Sequence, residues 1–141
     1  MTGVWIGVDV GTVRVGVARS DPGGVLASPL ITLARDSTGN ADLAELATIV
    51  RESGAVGVVV GLPQTLRGRE GPSAELARAY STALEPLIDP VPVHLLDERL
   101  TTVSAERKLR NSGIRGRAKR AVIDQAAAVE LLQHWLDTPR T

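Results

Sequence analysis

Apolar residues along the chain follow two different spacings, one typical of strands and one typical of helices. Residues 4–9 and 56–60 are continuous apolar runs rich in Val, as expected of strands that are buried on both faces. Residues 13–17 alternate apolar and polar positions, which predicts a half-buried strand. Between residues 41 and 52 the apolar side chains recur every three or four positions, which predicts a helix.

The whole chain divides into strands joined by turns, followed by alternating helices and strands. The predicted strands cover residues 4–9, 13–17, 25–33, 56–60 and 93–96, and the predicted helices cover 41–52, Pro72 to Pro86, Thr101 or Thr102 to Arg110, and 117–136. Pro29 predicts that the third strand lies at an edge. Tight turns make the first three strands antiparallel, and helical crossovers make the later strands parallel to the first. We therefore predict an α/β fold with a mixed five-stranded sheet, three antiparallel strands followed by αβαβα, and helices on both faces.

Composition narrows the class of protein further. A chain of 141 residues that is 43% hydrophobic suits a single domain, which we predict to span residues 1–141. Two Trp, one Tyr and no Phe argue against a protein that binds nucleic acid by stacking bases on aromatic rings. The lack of Cys excludes disulfides and thiol nucleophiles, and two His residues, His94 and His134, are too few for a His-rich metal site and are expected to be structural. Since the sequence shows no signal peptide and no membrane-spanning apolar run, we expect a cytoplasmic protein with no membrane association.

Three acidic residues stand in apolar surroundings, where an unpaired charge is costly. Asp9 ends the first strand, Glu98 follows the fifth, and Asp124 lies on the apolar face of the last helix. We expect the ends of the first and fifth strands to approach each other, because both strands run parallel. Ligands of open α/β sheets bind beyond the carboxyl ends of the strands, where Asp9 and Glu98 lie. Carboxylate oxygens suit Mg²⁺ and Mn²⁺, so the pattern predicts that these three residues are the catalytic and metal-binding acids of one two-metal site.

Each of these acids also has a structural interpretation. Asp9 could bind nearby backbone amides at the end of its strand. Asp97 could take the place of its neighbour Glu98, since adjacent strand residues point to opposite faces. Asp124 could be a buried acid that is paired with Lys119 or Arg120.

Positive charge is concentrated near the end of the chain, although the formal net charge is zero. Seven basic residues and no acidic one lie at positions 107–120, which predicts a track for substrate phosphates, with a solvated face as the alternative. Residues 61–71 are predicted to form a loop that is either a substrate flap or an ordinary crossover. Arg14, on the polar face of its strand, is either solvated or a phosphate contact near Asp9. The predicted substrate-binding residues are Arg14, Arg67, Arg69, Arg99, Arg115, Arg117, Lys119 and Arg120.

Four motifs in series resemble those of the YqgF/RuvX family, and together they cover essentially the whole chain. They are Asp9-x-Gly11-x-x-Arg14-x-Gly16-x-Ala18, Gly61-Leu62-Pro63 with Gly68 and Gly71, Asp97-Glu98-Arg99-Leu100-Thr101-Thr102, and Lys119 followed by Asp124-x-Ala126-Ala127. The resemblance implies an RNase H-like fold related to the RuvC-type Holliday junction resolvases. It also implies a metal-dependent hydrolase that matures the 5′ end of pre-16S ribosomal RNA, with Asp9, Glu98 and Asp124 as the catalytic acids.

Three functional hypotheses remain. The first is a phosphodiester-cleaving nuclease that uses Mg²⁺ or Mn²⁺ on structured RNA, as a monomer or weak homodimer. A Holliday junction resolvase acting on branched DNA is the alternative with the same chemistry, and Ala127, where RuvC-type resolvases carry a second acid, argues against it. A non-catalytic nucleic-acid-binding module is the second class. A sugar-kinase or actin-like ATPase is rejected, because 141 residues cannot supply two such domains.

Overall fold

A computed structural model describes residues 3–63, 70–98 and 117–138, with side chains at 117–121 outside the description. Within these ranges the chain forms five strands and three helices. They are β1 (Trp5–Val10), β2 (Arg14–Ser20), β3 (Ala27–Ala34), α1 (Ala41–Glu52), β4 (Gly57–Leu62), α2 (Pro72–Ile88), β5 (Val93–Asp97) and α3 (Arg117–Asp137). The helix predicted from Thr101 or Thr102 to Arg110 lies outside the described residues, as does most of the loop predicted at 61–71.

The five strands form one sheet in the order β3-β2-β1-β4-β5. Strand β2 pairs antiparallel with both β1 and β3, whereas β4 pairs parallel with both β1 and β5. This confirms the predicted mixed sheet. The carboxyl ends of β1 and β5 lie at the same end of the sheet, with β4 between them. Since β2 already occupies one edge of β1, the crossover through α1 brings β4 to the free edge, and α2 then adds β5 beyond it.

The central strands β1 and β4 are buried at every position, as their continuous apolar runs predict. Their side chains alternate between two separate cores. Ile6, Val8 and Val10 enter the core formed with α1 and α2. Trp5 enters a second core with apolar residues of α3, such as Leu131. The helices therefore lie on both faces of the sheet, and α3 covers the face opposite to α1 and α2.

Strand β3 lies at an edge of the sheet, as Pro29 predicts. The register between β2 and β3 shifts at Val17 and Ala18, where Pro29 pairs with Ala18. An edge strand with an irregular register is where a residue without an N–H group is tolerated.

Helix α2 extends further than predicted. Pro86 was expected to end it, but the helix continues to Ile88. Proline removes one backbone hydrogen bond and strains the preceding turn. Leu84 and Ile88, which flank Pro86, are both buried in the core under the sheet. Their burial offsets the local cost and holds the last turn in place.

Helix α1 begins and ends at the predicted residues, and Gly54 just after it has a φ angle of +62°. Among the helices of the described ranges, none is long and apolar enough to cross a membrane.

Candidate active site

Asp9 lies on the face of the sheet that α3 covers. A Cβ atom placed on Gly7, two residues earlier in β1, would lie 2.7 Å from the Cβ of Leu132 in α3. Because side chains alternate along a strand, Asp9 points to the same face as Gly7. Asp9 is completely buried, with 0% of its surface exposed. The sheet therefore carries a buried carboxylate directly under α3.

On one side of Asp9, β2 brings Asp124 close. Asp9 pairs with Gly16 in the antiparallel register of β1 and β2. A Cβ atom placed on Gly16 would lie only 2.0 Å from the main-chain oxygen of Asp124. The backbone of α3 at Asp124 therefore rests on the sheet next to Asp9. The absence of a Cβ atom at Gly16 permits this close approach.

On the other side of Asp9, β4 brings Glu98 close. Val8 pairs with Val60 in the parallel register, so the next residue of β4, Gly61, lies beside Asp9. A Cβ atom placed on Gly61 would lie 2.8 Å from Oε1 of Glu98, which is 1% exposed. The Glu98 carboxylate thus occupies the space that a side chain at position 61 would fill. Because Gly61 has no side chain, Glu98 at the end of β5 can extend across β4 toward Asp9.

The register also distinguishes Glu98 from its neighbour. Asp97 pairs with Leu62, which belongs to the core with α1 and α2. Leu96 pairs with Gly61 and packs against the core under α3. Asp97 therefore lies on the face away from Asp9, whereas Glu98 lies on the face of Asp9. Of the two neighbouring acids, Glu98 is the one placed near Asp9 and Asp124.

Asp124 forms an ion pair with Arg14. The Nε of Arg14 donates a hydrogen bond to Oδ2 of Asp124 at 2.7 Å, and the two side chains are 20% and 2% exposed. The sequence instead offered Lys119 or Arg120 as partners, whose side chains lie outside the described part of α3. The pairing with Lys119 or Arg120 therefore stays a prediction, whereas the sheet brings Asp124 together with a cation that is 110 positions away.

The type of ligand at this site fits a hard divalent cation. Carboxylate oxygens are the ligands that Mg²⁺ and Mn²⁺ prefer. The three acids lie on one face of the sheet in neighbouring elements, but within residues 3–63, 70–98 and 117–138 no group of three or more His, Asp or Glu side chains closes on a single ion. Asp124 in this arrangement is bonded to Arg14.

The structure describes no side-chain position for the other predicted substrate-binding residues. Arg67, Arg69, Arg99 and Arg115 lie outside the described residues. Arg117, Lys119 and Arg120 belong to the start of α3, and their side chains are not described. The predicted phosphate track therefore stays a prediction.

A further buried acid, Asp42, was not singled out by the sequence. It lies at the start of α1 and accepts hydrogen bonds from Nη1 of Arg35 at 2.8 Å and from the hydroxyl of Tyr80 at 3.0 Å. Burial alone would raise the pKa of Asp42, but the bonds from Arg35, the Asp36 amide and Tyr80 together hold it below its usual value. Burial and the charge of Asp42 raise the pKa of Tyr80. Asp42 thus has a structural role away from the other three acids.

His94 lies in an aromatic cluster with Trp5 and Trp135. The ring centroids of His94 and Trp135 are 4.9 Å apart, and those of Trp5 and Trp135 are 5.6 Å apart. These rings pack between the sheet and the later part of α3. The surroundings of His94 agree with the structural role that we expect for it.

A comparison with protein families connects this arrangement to known proteins. The family model described as RuvX, Holliday junction resolvase, matches residues 3–138. The chain belongs to the RuvX family. Two curated relatives carry the name "Putative pre-16S rRNA nuclease". The relative from Frankia casuarinae is 59% identical over 97% of this chain and 68% of its own length, and the one from Mycobacterium ulcerans is 57% identical over 96% and 79%.

The fold of this RuvX-family chain is also similar to that of RuvC from Thermus thermophilus. RuvC in complex with a Holliday junction substrate matches 95% of this chain and 93% of its own, with a TM-score of 0.55 and 14% sequence identity. A second RuvC structure gives a TM-score of 0.53 and 15% identity. These matches confirm the predicted RNase H-like fold.

Proposed function

We propose that this chain is a metal-dependent nuclease that hydrolyses phosphodiester bonds in structured RNA, with the 5′ end of pre-16S ribosomal RNA as its substrate. The observation that carries the proposal is the convergence of Asp9, Glu98 and Asp124 on one face of the sheet. Membership of the RuvX family and the name shared by its curated relatives support the RNA substrate. Such a nuclease acts in the cytoplasm during ribosome biogenesis.

The three acids would hold Mg²⁺ or Mn²⁺. When bound, such an ion lowers the pKa of water and stabilises negative charge on phosphate oxygens. The fold determines the positions of the acids. Asp9 is part of β1, Glu98 occupies the space beside Gly61, and Asp124 lies on α3 where its backbone contacts Gly16. Because all three are nearly inaccessible to water, their electrostatic effect on a reacting phosphate is stronger than it would be in solution.

Substrate phosphates are expected to contact the basic residues that flank this site. Arg115, Arg117, Lys119 and Arg120 precede Asp124 in the chain, and Arg99 follows Glu98 directly. Arg67 and Arg69 follow β4, whose Gly61 adjoins Asp9. The basic residues are therefore connected in sequence to all three sides of the acid site. Such a local positive field attracts a polyanion even though the chain as a whole is neutral.

Cleavage of Holliday junctions is the second candidate function. The description of the RuvX family model favours it, and RuvC has the same fold. The residue three positions after Asp124 is Ala127, which is completely buried against the sheet. A RuvC-type second acid is therefore missing at that position of α3. Symmetric cleavage of a junction also needs two copies of the chain, whereas RNA processing is compatible with a monomer.

A paired cleavage assay tests the proposal. Purified protein with Mg²⁺ or Mn²⁺ is offered a 5′-extended 16S ribosomal RNA precursor and a DNA four-way junction. Asp9→Asn and Asp124→Asn should each abolish RNA cleavage. Asp137→Asn is the matched control, because Asp137 is exposed at the far end of the same helix.

The three possible outcomes separate the functional hypotheses. RNA trimming that both site variants lose and the control keeps supports the proposed nuclease. Symmetric junction cuts with the same dependence would replace it with a resolvase. Binding of both substrates without cleavage, unchanged in the site variants, would indicate a non-catalytic binding module.

A further inference from the structure

Asp124 is held by two residues of β2 that lie two positions apart. Arg14 donates a hydrogen bond from Nε to the carboxylate of Asp124 at 2.7 Å. Gly16 leaves room for the main chain of the same residue, with its missing Cβ only 2.0 Å from the Asp124 oxygen. Residues i and i+2 of a strand face the same side, so both contacts come from one face of β2. Side chain and backbone of Asp124 are thus fixed by one short segment of strand.

The bond to Arg14 determines where the Asp124 carboxylate stands. A carboxylate that is 98% buried is stable only when it is paired, and Arg14 supplies the positive charge. The bond engages Oδ2 of Asp124, and it uses one of the five N–H donors of the guanidinium. A hydrogen bond to one oxygen of a ligating carboxylate orients its other oxygen, which is how residues outside a metal's own ligands tune their affinity.

We propose that Arg14 is a positioning residue of the acid site, which orients Asp124 for the divalent cation. This role rests on the proposed function, since it assumes that Asp124 is a ligand. It differs from the phosphate contact that the sequence predicts for Arg14. A phosphate contact acts on substrate binding, whereas a positioning residue acts on cation affinity and turnover through Asp124.

The test compares Arg14→Gln, Arg14→Lys and Asp124→Asn in the full-length protein. The affinity for Mn²⁺ is measured by calorimetry, and kcat and KM are measured on the RNA precursor. Arg19→Gln is the matched control, because Arg19 lies on the same strand but faces the opposite side. Thermal melting of the metal-free proteins, including the double variant Arg14→Gln/Asp124→Asn, shows whether the two residues act together.

Arg14→Gln should weaken Mn²⁺ binding by about 10–100-fold and lower kcat, with KM nearly unchanged. Arg14→Lys should recover part of both, because the charge returns without the planar geometry of the guanidinium. The double variant should melt at a higher temperature than Arg14→Gln, because Arg14→Gln alone removes the positive charge that faces the buried Asp124 carboxylate. Arg19→Gln should behave as the wild type. If Arg14→Gln does not fold, the Mn²⁺ affinity of Arg14→Lys is compared with that of the wild type, and an equal affinity would overturn the proposal.

Two results would overturn the inference while leaving the proposed function intact. One is wild-type Mn²⁺ affinity in Arg14→Gln while Asp124→Asn loses binding. The other is a raised KM with unchanged kcat and Mn²⁺ affinity, which would assign Arg14 to a substrate phosphate. Failure of the proposed function looks different, because the wild-type protein itself would then neither bind Mn²⁺ nor cleave RNA, and the positioning role would fall with it.

Discussion

Replacing Gly16 with Ala tests how closely α3 must approach the sheet. The new Cβ atom would lie 2.0 Å from the oxygen and 2.5 Å from the carbonyl carbon of Asp124. Both are backbone atoms, so no side-chain rotation relieves the clash. Cβ atoms essentially never come closer than 3.0 Å to a heavy atom of a distant residue, so β2 and α3 must separate by at least about 1 Å. That movement carries Asp124 away from Asp9 and strains the 3.0 Å hydrogen bond from Gln125 to Thr32 of β3.

The expected effect on activity is larger than the effect on stability. Overpacking of this kind typically costs about 1–3 kcal/mol, and a misplacement of about 1 Å at a catalytic site can lower the rate about 100-fold. Urea denaturation measures the first quantity, and kcat on the RNA precursor measures the second. Gly71→Ala is the control for stability, because a Cβ atom there meets no other atom within 4 Å. Gly16→Ala with wild-type kcat and wild-type stability would refute the close approach of α3 at Asp124.

Four further predictions concern Gly61, the buried Asp42 with its partner Tyr80, and the basic residues before Asp124. Gly61→Ala should lower kcat at least about 10-fold but change stability by less than about 1 kcal/mol, because the new Cβ displaces only the Glu98 side chain; unchanged kcat would contradict this placement of Glu98. Tyr80→Phe should cost about 1.5–3 kcal/mol in urea denaturation without lowering kcat, because it removes a hydrogen bond to the charged, buried Asp42. Since the pKa of Asp42 is lowered in the folded state, its stabilising effect is complete above about pH 4 and is lost as the pH falls below that, so the acid dependence of unfolding should weaken in Asp42→Asn. Replacing Arg115, Arg117 and Arg120 should reduce the salt dependence of binding to duplex DNA by up to about 0.9 log unit per lost contact, and an unchanged slope would count against the phosphate track.

The sheet and the burial of the three acids can be predicted from the sequence, because both follow from local patterns. The Val-rich runs identify β1 and β4, and Pro29 identifies the edge strand. Asp9 and Glu98 stand at strand ends, and the spacing of apolar residues on α3 turns Asp124 inward. Strand ends and helix faces can be deduced from a single chain, so the approximate position of the site can be deduced too.

The contacts between distant residues could not be predicted in the same way. Local patterns do not show that β4 lies between β1 and β5, so they do not predict that Gly61 leaves space for the Glu98 side chain. A signal was present, because a glycine at this point of a buried strand often marks a close approach. The pairing of Arg14 with Asp124 and that of Arg35 with Asp42 depend on side chains that only the folded sheet brings together. The continuation of α2 past Pro86 depends on the burial of Leu84 and Ile88, which the local pattern around a proline does not show.

Anomalous diffraction from a crystal grown with Mn²⁺ most directly tests the claim that three acids form one cation site. We expect an anomalous peak under α3 within coordination distance of carboxylate oxygens from Asp9, Glu98 and Asp124. The peak should vanish in crystals of Asp9→Asn. A fully occupied peak elsewhere, or no peak at a Mn²⁺ concentration that supports RNA cleavage, would contradict the claim.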